Sequence, residues 1–387
     1  MEHGEDATAP SAPLRTGYMF LGWDIEFTNV KEALVVTATY VANWYDLVYY
    51  DEDEETVLQS TLHLYGDDLT EHVPPDPPEK EGKVFWNWTG PVLPETMPDR
   101  HIHLIANYII PEETYTFNLV PVGVSGTTYT MPIGFCDTET TDIPGGYSIS
   151  TTTVTYDVWY YVRLWAEGEG YGFLNPGQEG SEGTAGALPT DEGTQPVTGV
   201  SWRDVIVWLN AYSTFHGLDP VYRTPGGDIL MDSSSFATDS AVQTTNNGYR
   251  LPTSDEWEMA ARWRNDTEST HGSIHVGDRW WTPGNYASGA IADTDHTYET
   301  ALVAWYWVNA AGLTRPVAQL GPNPLGLYDM SGNVWEWTYS LCPNSWRIFR
   351  GGCVEAEAEY MQIGGWSSMF SAFTHYTIGF RVVKDSE

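Results

Sequence analysis

Residues 323–338, NPLGLYDMSGNVWEWT, carry more structural information per residue than any other part of this chain. From Val334 onward the side chains alternate. Val334 and Glu336 fall on one side, Trp335 and Trp337 on the other. Two tryptophans on one face predict that this face packs inward, while Glu336 faces something polar. Working outward, YRLPTSDEWEMAARW at 249–263 predicts a helix capped by Thr253 or Ser254, with Glu256 in its first turn and Trp257, Ala260 and Ala261 on one packing face. In PVTGVSWRDVIVWLNAYS, 196–213, Ser201 caps a second helix, 202–215, and Asp204 complements its dipole. RIFRGG at 347–352 and IGFRVV at 378–383 bracket the end of the chain. Arg250 and Arg381 are two of only 17 basic residues, and buried pairing with acidic neighbours is expected for both.

Between the N-terminus and these motifs the pattern is less decisive. Residues 148–155 are β-branched and strand-like. Residues 156–166, YDVWYYVRLWA, place Val158, Tyr161, Val162 and Trp165 at helical spacing. Gly168 to Gly199 is rich in Gly, Ser, Thr and Pro and reads as a long surface loop.

In this order, the four motifs resemble the formylglycine-generating-enzyme (sulfatase-modifying factor) family, over roughly Phe117 to Val383. The resemblance implies an α+β, C-type-lectin-like fold with little regular secondary structure. It also bears on chemistry. The oxidases of the family use a copper-loaded cysteine pair, four and nine residues after the Gly-Gly pair, and those positions here are Ala356 and Met361. Another branch holds iron through histidines of an N-terminal helical domain that has no counterpart here. Neither copper nor iron is expected, and the chain is not expected to be an enzyme. The family's calcium site maps onto carboxylates of Asp329 and Glu336 and backbone carbonyls of Gly332 and Val334. Such all-oxygen ligation suits a structural Ca²⁺, the alternative being that Asp329 only caps a turn.

Between the two bracketing motifs lies CVEAEAEYMQIGGWSSMFSAFTHYT, residues 353–377. The frame keeps the length usual in the family, but the Trp and two Arg usual inside it are Val354, Gln362 and Trp366 here. The interior mixes aromatics with Ser, Gly, Thr and His, the composition of a paratope. A framed, substituted segment just before the C-terminus resembles the variable protein of a diversity-generating retroelement. That resemblance implies a ligand-binding face, expected on Glu355, Glu357, Glu359, Tyr360, Gln362, Trp366, Ser368, Phe370, Phe373, His375 and Tyr376, with Trp305, Tyr306 and Trp307 as neighbours. Three alternatives stay open: aromatics that are core residues of a divergent family member, an enzyme with an atypical site, and a structural spacer.

The first hundred residues contain an internal echo. Gly17, Phe20 and Trp23 recur at identical spacing as Gly82, Phe85 and Trp88, and alternating strands end each copy at Tyr40 and Tyr108. The second copy carries an extra hairpin around the acidic turn Asp51–Glu55. These copies resemble the internalin-type B-repeat (Listeria–Bacteroides repeat), a small β-grasp-like module of bacterial and phage surface proteins. The expected organisation is a partial repeat at 1–41, a second repeat at 42–110 and the lectin-like domain at 111–387. The abrupt start of the first copy suggests a cut from a longer protein.

Composition sets the outer bounds. The 387 residues hold 17 Lys and Arg against 53 Asp and Glu, a formal net charge of −36. No basic stripe exists to release counterions from nucleic acid or to meet anionic lipid, so neither partner is expected. No apolar run is long enough for a transmembrane helix, and no signal peptide is visible. Three cysteines are too few for a disulfide framework, although one bridge is open to them. The surface-repeat resemblance implies display outside a cell, on a cell or virion surface, with a protein or glycan of a host or partner surface as the ligand. Oligomeric state is not legible.

Overall fold

The computed structural model describes residues 4–80, 83–109, 115–190, 194–235, 241–244, 247–264 and 272–386. The chain divides into two units, Met1–Pro111 and Glu112–Glu387.

In the first unit the sequence echo has a physical counterpart. Strands Tyr18–Trp23 and Ala38–Ala42 pair antiparallel with Phe20 opposite Tyr40, and the register slips between Phe20 and Gly22. Strands Val84–Thr89 and Ile102–Ile109 repeat this with Phe85 opposite Tyr108 and a slip between Phe85 and Asn87. The Phe and Tyr rings lie 5.6 Å apart in one pair and 5.9 Å in the other. Each Tyr hydroxyl donates to a proline carbonyl, Tyr40 to Pro13 at 2.7 Å and Tyr108 to Pro78 at 2.8 Å. The echoed aromatics thus pin a Pro-rich segment onto a strand pair twice. Gly82, the counterpart of Gly17, lies outside the described residues.

The two copies differ where the hairpin enters. Strands Trp44–Tyr50 and Val57–Leu64 pair, and Trp44–Tyr50 also runs parallel to Ile102–Ile109, giving a four-stranded sheet. The turn forms where its acids predict it: the Asp53 carboxylate accepts from the Glu55 and Thr56 amides, and Glu54 takes a left-handed φ of 59°. In the first copy the alternating run 35–40 becomes strand only from Ala38, and Val35 is exposed. A strand is made by its partners, and the second-copy strand has one on each side whereas the first has one.

The second unit is built around three helices. Helix α1, Tyr156–Gly168, and helix α2, Trp202–Phe215, stack Trp159 on Trp208 at 5.6 Å, and Phe380 from the last motif sets its ring edge-on to both. Ser201 and Asp204 form the capping box of α2, each accepting from the other's backbone amide. Helix α3, Ser254–Arg262, is capped in the same reciprocal way by Thr253 and Glu256. Of residues 148–155 only Tyr147–Ser150 is strand, because the Ser150 hydroxyl donates to the Thr152 carbonyl and turns the chain. The loop 168–199 contains one short ladder, Gln178–Glu179 with Val197–Thr198.

Two four-stranded sheets order the unit. In one, the terminal strand Val383–Asp385 lies between Tyr147–Ser150 and Tyr249–Arg250, with Leu119–Val122 at the edge. The other runs Trp366–Met369, Arg347–Arg350, Trp335–Leu341 and Ile378–Gly379, the last pair parallel. All four strands of this second sheet come from the motifs 323–338, 347–352 and 378–383 and from the segment they frame.

Candidate ligand-binding face

The frame is held by buried ion pairs. Glu336 is fully buried, and the polar group it meets is Arg381: Nε and Nη2 each donate to its carboxylate at 2.6 Å. Trp257 Nε1 donates to the same carboxylate at 2.6 Å. Arg381 also donates to the carbonyls of Ser150 and Tyr328, at 2.9 Å each, and so joins the front of the unit to its last strand. Arg250 forks onto Glu256 at 2.8 Å through both terminal nitrogens and also pairs with Asp385. Glu258 serves two arginines, Arg262 and Arg350, both at 2.7 Å. All of these charges are matched, and all but the half-exposed Asp385 are largely desolvated, the arrangement in which a buried charge is tolerated.

Arg350 extends this frame into the segment 353–377. Its Nη1 donates to the carbonyls of Ile363 and Gly365, at 3.2 and 3.1 Å. Other pins follow along the chain. The Val354 amide donates to the Asn333 carbonyl at 3.1 Å, and Ile363 and Gly364 donate to Tyr286 and Gly284. Gly352, at φ 80°, is required because a Cβ there would meet the Tyr360 carbonyl oxygen at 2.6 Å. Strand Trp366–Met369 pairs with Arg347–Arg350, the Trp335 amide donates to the Thr377 carbonyl, and the Gly199 amide donates to that of His375.

Between the pins, the side chains turn outward. Glu355, Glu357, Glu359, Tyr360, Trp366, Phe370 and Tyr376 are exposed, while Gln362, Ser368, Phe373 and His375 are half-buried. The buried members of the segment are Cys353, Val354, Met361, Ile363, Gly364 and Thr377. Aromatic contacts link part of the outward set: Phe370 to Phe373 at 5.7 Å, Phe373 stacked on His375 at 6.2 Å, and His375 stacked on Tyr376 at 4.3 Å. The Tyr376 hydroxyl donates to Glu355 at 2.7 Å, and this bond raises the pKa of Tyr376. Gln362 and Ser368 are tied more closely to the body, Gln362 through Thr294 at 3.1 Å and Ser368 through the Cys342 thiol at 3.5 Å.

Of the three neighbours expected from sequence, Trp307 alone is exposed; its amide donates to the Ala356 carbonyl at 3.0 Å. Tyr306 is buried and Trp305 half-buried. Only Trp307 lies in the short helix Trp307–Ala310, which Tyr306 caps, and the sequence alone does not say which of these adjacent aromatics faces out. The contribution of Arg350 was also not read from sequence, although the second Arg of RIFRGG was a visible signal.

The positions that hold cysteines in the family's oxidases are filled by packing. Met361 is fully buried with Ala287, Ala290, Val303, Ala304 and Tyr306, and Ala356 packs against this cluster. Cys136, Cys342 and Cys353 are all free thiols, so the bridge left open by sequence is not made. Burial pushes the Cys353 thiol above its ordinary pKa, whereas the bond to Ser368 pulls Cys342 below it.

The carboxylates of the expected calcium site differ in state. Asp329 is buried, accepts from the Ala318 amide at 2.8 Å, and has its pKa pushed up to about 6, chiefly by burial. Both Glu336 oxygens are already engaged by Arg381 and Trp257. Among the described residues no group of three or more His, Cys, Asp or Glu is placed to hold a metal ion. Of the expected calcium ligands, Glu336 is thus committed to Arg381 and Trp257, while Asp329 is a buried carboxylate held by a backbone amide.

Residues 122–386 match the sulfatase-modifying factor enzyme 1-like domain. The chain belongs to this family. Its relatives include the chaperone protein LppX of Paenibacillus barcinonensis, 32% identical over 189 residues that cover 41% of this chain and 58% of that protein. The formylglycine-generating enzyme of Thermomonospora curvata is 28% identical, covering 42% of this chain and 37% of the enzyme. The inactive C-alpha-formylglycine-generating enzyme 2 of Bos taurus is 33% identical, covering 27% and 32%. The chain therefore spans between about a third and three fifths of the length of these relatives. Among solved structures, CarF aligns with a TM-score of 0.51 at 29% identity, over 70% of this chain and all of that one. Treponema denticola variable protein 1 also gives 0.51, at 24% identity, over 70% and 95%, and shares the fold. A sulfatase-modifying-factor-like domain thus occurs in proteins named as inactive as well as in enzymes, and membership alone does not assign a reaction. Among the described residues, no helix is long and apolar enough to cross a membrane.

Proposed function

We propose that the C-terminal unit is a displayed, non-enzymatic binding domain, and that residues 353–377 are a replaceable contact face held in a fixed frame. The observation that carries this reading is the division within the segment. All eleven residues assigned to the face are exposed or half-buried, whereas Met361 and Ile363 between them and Val354 and Thr377 at either end are buried pins. Rigid aromatics with small polar spacers on an exposed edge make a recognition surface. The diversity-generating-retroelement reading follows from the same architecture: side chains that only face solvent can be exchanged without cost to the core. Ala356 and Met361 supply no thiolate to hold copper, which supports the absence of the oxidase reaction. The ligand is a protein or glycan on a host or partner surface, reached from outside a cell or from a virion, and the first unit serves as B-repeat-like spacer modules.

The test is deep sequencing of the 3′ end of the gene across its source population. Substitutions concentrated at the eleven outward codons, with codons 323–338 and 378–383 constant, are expected. An interior as invariant as its flanks overturns the diversified face.

Structural calcium at Asp329 is a second part of the proposal, supported by the raised pKa of that buried carboxylate. Calcium is expected to raise the melting temperature by several degrees over the chelated protein, and the Asp329→Asn variant is expected to lose the response. Identical melting with calcium and with chelator contradicts it.

A further inference from the structure

Trp366 belongs to the outward set, yet it also lines a cavity of about 580 Å³ within the C-terminal unit. Five stretches of this unit line the cavity: the turn around Phe135 and Cys136, the start of α3, the end of strand Trp335–Leu341, the strand Arg347–Arg350, and Gly364 with Trp366. At its walls, Phe135, Leu341 and Trp366 are 59%, 53% and 50% exposed. Large apolar side chains from three elements converging on one concavity mark a ligand site more than they mark ordinary surface.

The charges lining the cavity are of two kinds. Arg350 is already committed: it pairs with Glu258 at 2.7 Å, donates to Ser254 Oγ at 2.8 Å, and holds the carbonyls of Ile363 and Gly365. Asp255 and Glu139 remain, both exposed and in no close ion pair among the described residues, although Asp255 also feels the charge of Arg350. The cavity therefore offers apolar walls and two carboxylates that no close ion pair engages. Its wider setting has the same sign, since residues 353–377 hold three glutamates and no Lys or Arg, in a chain of net charge −36. A group with a long apolar stem and a cationic head complements that combination.

We propose that this cavity seats a lysine or arginine side chain of a partner protein, its stem along Phe135, Leu341 and Trp366 and its head against Asp255 and Glu139. The proposal rests on the reading of 353–377 as a contact face, because Trp366 belongs to both, and it narrows the ligand to a basic protein surface.

The full chain is titrated with Nα-acetyl-arginine amide, with Nα-acetyl-norleucine amide and Nα-acetyl-glutamate amide as neutral and acidic counterparts. Cys136 lines the cavity and is exposed, so its alkylation rate, followed by peptide mass spectrometry, reports occupancy. The arginine amide is expected to slow Cys136 alkylation with a midpoint on the order of 1 mM, the range open to one small ligand. The midpoint is expected to rise at least about fivefold in the Asp255→Asn/Glu139→Gln double variant and in Trp366→Ala, and to stay unchanged in Leu174→Ala, an exposed apolar residue outside both the cavity and the contact face. Circular dichroism and melting check that the variants fold. Equal protection by the norleucine amide, no protection by the arginine amide, or an unchanged midpoint in the double variant overturns the proposal. Those results leave the sequencing test untouched. Invariant codons 353–377, in turn, contradict the diversified face and leave the cavity assignment standing.

Discussion

The frame and the segment it encloses are adjacent in sequence and follow opposite physical rules. In the frame, each motif residue is fixed by several partners at once: Glu336 by Arg381 and Trp257, Arg250 by Glu256 and Asp385, Arg350 by Glu258, Ser254 and two carbonyls. In the segment, the backbone is pinned as firmly, but the pins are main-chain amides, glycines and a few buried aliphatics, so most side chains are left without structural duty. The difference teaches how a fold can hold one stretch rigid without fixing its identity. Backbone hydrogen bonds and glycine contacts set the path, and they do not depend on the outward side chain.

Breaking the frame gives the largest expected effect. Glu336→Ala leaves the Arg381 guanidinium buried without its counter-charge, and the variant is expected to lose about 3–5 kcal/mol in urea unfolding. A loss below about 1 kcal/mol would mean that the pair is not a structural lock. Next comes a pin within the segment. Met361→Ala opens a cavity beneath Tyr306 and is expected to cost about 2–4 kcal/mol, which would show that the segment has its own buried anchors and is not uniformly replaceable.

A pH series sharpens the same contrast. Burial raises the Glu256 carboxyl, and the charge and hydrogen bonds of Arg250 more than offset this, leaving it below its ordinary value of 4.5. A depressed carboxyl binds its proton more weakly in the folded state, so its contribution is complete above pH 4.5 and fades as pH falls through the lower folded value. Glu256→Gln keeps the helix cap and loses the ion pair. It is expected to be less stable at pH 7 and to show a shallower acid loss than the parent; parallel curves would remove the pair from the account. The smallest effects belong to the outward set. Phe370→Ser and Tyr376→Ser are expected to change stability by less than about 0.5 kcal/mol each, and a larger loss would return those rings to the core.

Much of the frame was legible because it is written in local chemistry. Thr253 with Glu256 and Ser201 with Asp204 are capping boxes at fixed spacing, and the alternation around Glu336 put it against something polar. Which partner it was could not be read, since Arg381 is distant in sequence and Glu336 meets it only through the parallel pairing of the last strands. In the first unit the echoed aromatics were visible, but the shortened strand at Ala38 was not, because strand length is set by neighbours. For residues 353–377, the framing motifs located the segment, and of the eleven residues expected on its face seven are exposed and four half-buried. Its composition did not separate Trp307 from Tyr306, nor did it place Trp366 beside Phe135, because that cavity is assembled from several distant stretches.

The central claim is that a fixed frame carries an exchangeable face, and the most direct test is a saturation library across residues 323–383, displayed and sorted for resistance to protease. Broad tolerance is expected at Glu355, Glu357, Glu359, Tyr360, Trp366, Phe370 and Tyr376, with near-complete loss at Glu336, Trp337, Arg350, Gly352 and Arg381. Equal intolerance at both sets of positions would contradict the account, since the segment would then be core and not a displayed surface.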